Sequence, residues 1–481
     1  MFGKIRFRSL ASRTRFWLAP CAALASVLAS VSTPSAADGL SQQQQLAFDI
    51  YKELVEINTV TATGDTARAA EAMAARLRAA GYADADVHAF SPAPRKGNLV
   101  ARLRGTGARK PILLVAHLDV VPANREDWSV DPFKLIEKDG YFYARGSGDD
   151  KYMAAAFVTN LIRYKQEGYK PDRDIIMALE TDEEIFDRDA LGIQRLLKNH
   201  RDLIDAEFAL NEGGGVGLKD GKPIRNSVQT SEKVALSYQL DVRNKGGHSA
   251  VPIKDNAIYH LAEGLVRLSK FSFPLKLNDT TRAYFERTAQ FENEQTAADI
   301  RAVMSDKPDP SAMSFVRLAA NPAYNAQLRT TCVATMLEGG QAINALPQLA
   351  SAKVNCRIMP GEPVDEVKRV LADDQITVTQ LDQPVLSAPS ALNEEVMGSI
   401  EKLSQQFWPG AVVLPTMSAG ATDGSFLRNA GIPTYGHSGL ASDINDGGRI
   451  HGRDERVLVK SFYQGEDYLY RLVKMLSGGG Q

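Results

Sequence analysis

Cysteine is scarce, three residues in 481, too few for a disulfide scaffold or a cysteine-built zinc knuckle. HExxH is missing, which excludes the metal site that carries two histidines on one helix. GxSxG is missing, which disfavours the nucleophile elbow of a serine hydrolase. Neither sign of charge dominates: 56 Lys and Arg face 58 Asp and Glu. There is thus no electrostatic footprint for nucleic acid or an acidic membrane surface. Beyond the N-terminus no apolar run is long enough to cross a bilayer, and no internal repeat is visible. The composition, 44% hydrophobic and 24% charged, is that of a globular chain, and its length favours two or more domains.

The N-terminus carries Lys4, Arg6, Arg8, Arg13 and Arg15 without an acid, then "FWLAPCAALASVLASV", then small residues at Ser35 and Ala37. This pattern predicts a secretory signal over 1–37, cut after Ala37, and hence an exported, periplasmic or secreted protein with no membrane span after processing. Removing five positive charges takes the formal net charge from −2 to −7. Cys332 and Cys356 remain, each in a strand-like run. An exported compartment permits them to pair; two unpaired buried cysteines are the alternative.

Apolar periodicity predicts an α/β chain. Strands such as "PILLVAHLDVV", "DIIMALETDEE" and "AEFALNEGGG" alternate with helical stretches such as "KYMAAAFVTNLIRYKQ", which indicates a largely parallel sheet. After Ser231 the pattern changes to half-exposed strands, for example "KVALSYQLDVR". A small α+β domain is expected over 231–385, inserted into a catalytic domain built from 38–230 and 386–481. The polar stretch Phe285–Pro322 reads as an extension within the insert.

Several apolar strands end in metal-ligand chemistry. Ile112–Ala116 ends in His117 and Asp119. Ile175–Leu179 ends in Glu180, Asp182, Glu183 and Glu184. Phe208–Leu210 ends in Glu212. Asp149 and Asp150 precede a helix, and "RIHG" supplies His451 late in the chain. Ligands in open α/β sheets bind at the carboxyl ends of strands. A hydrolytic metal site needs nitrogen and oxygen donors, an open position for water and a base. His437, in "YGHSG", reads as structural or pocket-lining. His88, His200 and His260 read as structural, without an acidic partner nearby in sequence.

These residues resemble a known family. "HLDVVP", "YARGSGDDK", "TDEE", "LNEGGG", "NKGGHSAVP", "GGQAINALPQLASAKVNCRIMPGE", "GATDGSF" and "NDGGRIHGRDERV" occur in the order and spacing of the dizinc metallopeptidases. That family includes aminoacylases, carboxypeptidase S, glutamate carboxypeptidase and succinyl-diaminopimelate desuccinylase, and the carboxypeptidase S branch is the most similar. The resemblance implies a zinc-peptidase catalytic domain with an inserted lid and dimerisation domain, and two Zn2+ with Co2+ or Mn2+ as substitutes. His117, Asp149, Glu184, Glu212 and His451 would be metal ligands, with Asp149 bridging. Asp119 would orient the His117 imidazole, and Glu183 would be the general base. His248 would polarise the scissile carbonyl, in many members from the other subunit of a homodimer. Asn344 and Arg357 would take the substrate's free carboxylate. The implied activity is cleavage of a short peptide or N-acyl amino acid next to that carboxylate. Carboxypeptidase or dipeptidase is the first reading, N-acyl-amino-acid deacylase the second, and a dead metal- or peptide-binding homologue the non-enzyme reading. Glu183 argues against the last, because a dead homologue has no need of a base. The sequence departs from the family pattern at Ala144 and Tyr152, where glycine is usual, and in "IFDRDALG" after Glu184.

Overall fold

The computed structural model describes residues 39–185, 190–305, 309 and 312–478. The expected signal and part of the loop after Glu184 lie outside the described residues. Among those described, no helix is long and apolar enough to cross a membrane.

The chain from Ser41 opens with two helices. Ser41 caps Gln42–Glu56 with a reciprocal capping box, and Asp65 caps Thr66–Ala79 by accepting from the Arg68 N–H. After them a ten-stranded mixed sheet is assembled. Its centre is parallel: Ile112–His117 lies between Ile175–Glu180 and Phe208–Asn211. All three are buried on both faces, so they read as continuous aliphatic runs rather than alternating ones. Thr434–Gly436 continues the parallel pairing beside Phe208–Asn211. Helices Lys151–Gln166 and Val459–Leu476 cover one face with a core that includes Tyr152, Phe157, Phe462 and Leu469. This α/β architecture is the one expected from sequence.

Lys222–Glu232 runs out of this sheet, and a single residue later Val234–Arg243 begins another. The second sheet is antiparallel, in the order Thr331–Gly339, Leu349–Ile358, Val234–Arg243, Thr377–Gln380. Burial alternates strictly along Val234–Arg243. Leu236, Tyr238, Leu240, Val354 and Cys356 pack with Leu261 of the helix Ala257–Lys270 and Val367 of the helix Val364–Leu371. The other face carries Ser237, Gln239, Asn355 and Arg357, all only part-buried. In the structure the inserted sheet spans Val234 to Gln380, and Ser231 and Glu232 still belong to the catalytic sheet.

The polar stretch forms helices Asp279–Thr288, Glu294–Val303, Met313–Ala319 and Pro322–Leu328. Phe285, Ile300, Leu318 and Leu328 build a small core with Leu414. Leu414 belongs to Val412–Ser418, which pairs parallel to Lys222–Glu232. This extension therefore packs on the catalytic sheet.

Cys332 and Cys356 are direct cross-strand partners and form a disulfide, which resolves the alternative left open by the sequence. The bridge joins the outer strand of the inserted sheet to the strand bearing Arg357. It closes a loop with a sequence separation of 24. Replacing both cysteines with serine is expected to cost about 3 kcal/mol by loop entropy. A lowered midpoint in urea unfolding of the double variant checks this.

Candidate active site

Strands Ile175–Glu180, Ile112–His117 and Phe208–Asn211 are adjacent and parallel, so their carboxyl ends open at one rim. His117 ends its strand. Glu183 and Glu184 stand in the 3-10 turn after Glu180, and Glu212 follows Asn211. Asp149 enters from the loop before the helix Lys151–Gln166, and His451 from a turn with positive φ (61°). Residues spread over more than 300 positions thereby meet.

The donors form two groups that share Asp149: His117, Asp149 and Glu212, and Asp149, Glu184 and His451. His117 Nε2 lies 2.9 Å from Asp149 Oδ1 and 4.0 Å from Glu212 Oε1. His451 Nε2 lies 3.1 Å from both Asp149 Oδ2 and Glu184 Oε2. Each oxygen of Asp149 thus faces a different histidine. Burial opposes ionisation of Asp149, yet the two imidazoles prevail and hold its carboxyl below the usual range. In return, Asp149 and Glu184 push His451 up to about 10. Glu212 is pushed well above its normal range by burial, with Asp149 and Glu183 adding. A carboxylate held between two imidazoles, with further crowded acids around it, is a site built for positive charge. The nitrogen–oxygen donor set fits divalent metals, zinc among them.

Glu183 is placed at the same site. Burial drives its carboxyl well above the usual range, opposed by the charge of His117 and reinforced by Asp423, Asp149 and Glu184. Asp119 corrects one expectation. His117 Nδ1 lies 2.9 Å from the Asp119 main-chain carbonyl, while the carboxylate is 3.8 Å away. That carboxylate instead accepts the N–H groups of Glu183 and Glu184, each at 3.2 Å, and the Thr61 hydroxyl. A backbone carbonyl is sufficient to orient the imidazole, which frees the Asp119 side chain to anchor the turn that carries Glu183 and Glu184.

Glu455 was not singled out in the sequence. It is fully buried and ion-paired to Arg145 at 2.6 Å. Its two oxygens also accept the N–H groups of Gly146, Gly148 and Asp149, so it shapes the loop that presents Asp149. Its signal was its place in "HGRDERV", four residues after His451. Ala144 and Tyr152 flank the same loop and are buried in the core. Asp150 occupies the N-cap position without a side-chain cap bond.

His437 stands apart from the metal donors. It is buried between the Ser227 carbonyl and the Tyr468 hydroxyl, and burial lowers it to about 4. His260 corrects another expectation, since its Nε2 pairs with Asp255 at 3.0 Å. His88 and His200 both stack on Phe90.

The inserted domain is not drawn into the centre. His248 is exposed, and its Nδ1 accepts the Ala250 N–H. Asn344 is also exposed. Arg357 is half-buried, with one hydrogen bond, to Asn355. None of the three is among the residues lining the cavity of about 550 Å3 that contains Asp149 and Glu212. That cavity is also lined by Gly213–Gly217, Leu440, Ile444, Ile450, Ser418, Gly420 and Thr422.

The parallel strand ends and the adjoining loops bring together two candidate metal-donor groups joined by one carboxylate, the makings of a metallohydrolase. The chain belongs to peptidase family M20/M25/M40, whose model matches residues 113–475, and it is a metallopeptidase or amidohydrolase of that family. It is 30% identical to the probable carboxypeptidase S-like 2 of Dictyostelium discoideum over 76% of this chain and 71% of that one. It is 31% identical to the N-fatty-acyl-amino acid synthase/hydrolase PM20D1 of Homo sapiens over 76% and 74%. The fold is shared with the M20 family metallo-carboxypeptidase Sso-CP2 of Sulfolobus solfataricus (TM-score 0.65, 17% identity, 91% of this chain and 99% of that one). The family resemblance read from the motifs is thereby borne out.

Replacing Glu455 with Ala strands the buried Arg145 charge and frees three N–H groups. A stability loss of about 3–5 kcal/mol is expected, together with weaker metal uptake. Urea unfolding and metal titration of the variant check both.

Proposed function

We propose that the chain is an exported zinc-dependent hydrolase that cleaves an amide bond next to a free C-terminal carboxylate, as a carboxypeptidase or dipeptidase. The observation that carries this reading is Asp149, shared between two donor groups with Glu183 beside it. His117, Asp149 and Glu212 would hold one Zn2+, and Asp149, Glu184 and His451 the other. Bound metal supplies Lewis acidity, polarising the carbonyl and acidifying water. Glu183 takes the proton released as water adds to the carbonyl carbon. It passes that proton to the nitrogen as the C–N bond breaks, and is restored as a carboxylate. Arg357, short of acidic partners, offers its planar fork to the substrate carboxylate. Export rests on the pattern of residues 1–37.

A second reading, N-acyl-amino-acid deacylase, is favoured by the cavity. Its 550 Å3 and the aliphatic stretch around Val216, Leu440, Ile444 and Ile450 suit a long acyl group. The human relative named above is an N-fatty-acyl-amino acid hydrolase.

The inserted domain is suited to a homodimer. Its outer strand Thr331–Gly339 pairs on one side only and exposes Val333 (60%) and Leu337 (68%), near the exposed Ile258 of the helix Ala257–Lys270. An unpaired strand edge with apolar side chains invites a second strand. A second copy would bury this surface and could bring His248 to the partner's metal centre, where it would stabilise the oxyanion.

Four outcomes are expected. Zinc-loaded enzyme should release product from dipeptides or N-acyl amino acids with a free carboxylate but not from their C-terminal amides, read by mass spectrometry; cleavage of both alike would remove carboxylate recognition. Glu183→Ala should lower turnover by about 10²–10⁴-fold while two metals remain bound. Mixing inactive His248→Ala with inactive Glu183→Ala should restore activity if His248 works across the dimer, and Leu337→Asp should yield monomers by sedimentation.

A further inference from the structure

Glu232 is the last residue of the strand Lys222–Glu232 in the catalytic sheet, and the inserted sheet begins at Val234. It is buried, and it is not among the residues lining the cavity. Its carboxylate accepts the Thr422 N–H at 3.1 Å, the Thr422 hydroxyl at 2.6 Å and the Gln229 side-chain amide at 3.0 Å. Arg428 stands at 3.1 Å as its ion-pair partner, and the side chains of Arg428 and Glu232 are only 5% and 3% exposed. A Cβ at Gly424 would meet Glu232 at 2.9 Å and Arg428 at 3.0 Å, so the glycine of "ATDG" makes room for the pair.

Two of these partners lead to the cavity. Thr422 and Gln229 both line it. The Thr422 hydroxyl also accepts the Asn211 amide at 3.4 Å, and Gln229 Oε1 would lie 2.4 Å from a Cβ on Gly213. Asn211 and Gly213 are the two neighbours of Glu212, a candidate metal donor. At the other end of the same loop, the Ser418 carbonyl accepts the Lys233 N–H at 2.8 Å. The consecutive residues Glu232 and Lys233 therefore hold the two ends of the stretch 418–422, which forms part of the cavity wall.

The second crossing between the two sheets is tied to the same ion pair. Arg428 Nε donates to the Ser387 hydroxyl at 2.8 Å, and the Ser390 N–H donates to the Thr230 carbonyl at 2.8 Å. Ser387 and Ser390 lie between Thr377–Gln380 of the inserted sheet and the helix Glu394–Phe407 of the catalytic domain. A buried ion pair gains little stability over apolar packing of the same volume. What it fixes here is direction, because donors from separate segments must converge on two oxygens with hydrogen-bond geometry.

We propose that Glu232 is a positioning residue for the hydrolysis. It holds the wall 418–422 and the turn after Glu212 at a fixed separation, and in register with both crossings to the inserted sheet. Substrate held between these parts then meets the metal donors in one geometry. Glu232 itself touches neither substrate nor metal and acts through Thr422 and Gln229. This deepens the amide-hydrolase reading above and rests on it. It holds whether the acyl side is a peptide or a fatty chain.

The test compares KM and kcat of zinc-loaded Glu232→Gln with those of the unaltered enzyme, on whichever dipeptide or N-acyl amino acid with a free carboxylate is cleaved faster. KM is expected to rise about 10-fold, with kcat changed less and two metals still bound. Adding Arg428→Met removes the stranded charge. The urea midpoint should then recover while KM stays high, because a glutamine amide supplies one acceptor oxygen where the carboxylate supplied two. Thr422→Val, which removes no charge, should raise KM in the same direction. An unchanged KM in folded Glu232→Gln overturns the proposal. So does a KM that returns to normal along with the midpoint in the double variant, which marks a purely structural pair. If Glu232→Gln fails to fold, Thr422→Val decides: a raised KM supports positioning, and an unchanged KM overturns it. If the unaltered enzyme cleaves no free acid, the amide-hydrolase reading fails, and hydrogen exchange reads the positioning alone. Faster exchange in Thr422→Val confined to 213–217 and 418–422 supports it; exchange unaltered there, or faster across the whole sheet, overturns it.

Discussion

The organisation of this protein follows from one electrostatic constraint. Asp149 sits between His117 and His451 with an oxygen turned to each, and Glu184 and Glu212 close the two sides. Four acids, counting Glu183, crowd into a largely buried space, and such an arrangement is tolerable only around positive charge. Much of the neighbouring structure keeps that arrangement in place. Glu455 shapes the loop of Asp149 through three N–H groups and Arg145. Asp119 ties down the turn of Glu183 and Glu184. The parallel strands bring the ends of distant segments to one rim. Fully buried strands therefore lie directly behind the crowded charges, as a preorganised metal centre requires.

The catalytic sheet and the inserted sheet each carry their own core. The two regions meet at Lys233, whose backbone belongs to the cavity rim and whose side chain holds the returning chain at Arg329. The disulfide between Cys332 and Cys356 ties the next stretch of that returning chain to the strand of Arg357.

Much of the metal centre was legible in the sequence, because its residues follow aliphatic runs long enough to mark buried strands. "ILLVAH" and "IIMALE" announce both the strand and the position of its end. Roles that depend on side-chain direction were not legible. Asp119 was expected to face the imidazole, and its carboxylate faces the next loop. Glu455 was hidden in a charged run, "GRDERV", where nothing local separates a buried acid from a solvated one. His260 finds its acid five residues back, at a helix N-terminus. Lys233 looked like an ordinary strand residue, since its importance comes from where two sheets meet.

Hydrophobic periodicity and motif order determined the α/β class, the inserted domain and the donor residues, because a strand or helix imposes its repeat on the chain that forms it. Tertiary structure alone decided which donors share Asp149, which acid supports which loop, and whether the cysteines pair. Those outcomes depend on distances of a few ångströms between residues hundreds of positions apart, and Coulomb and hydrogen-bond energies at that range follow spatial separation, which the order of residues along the chain does not record.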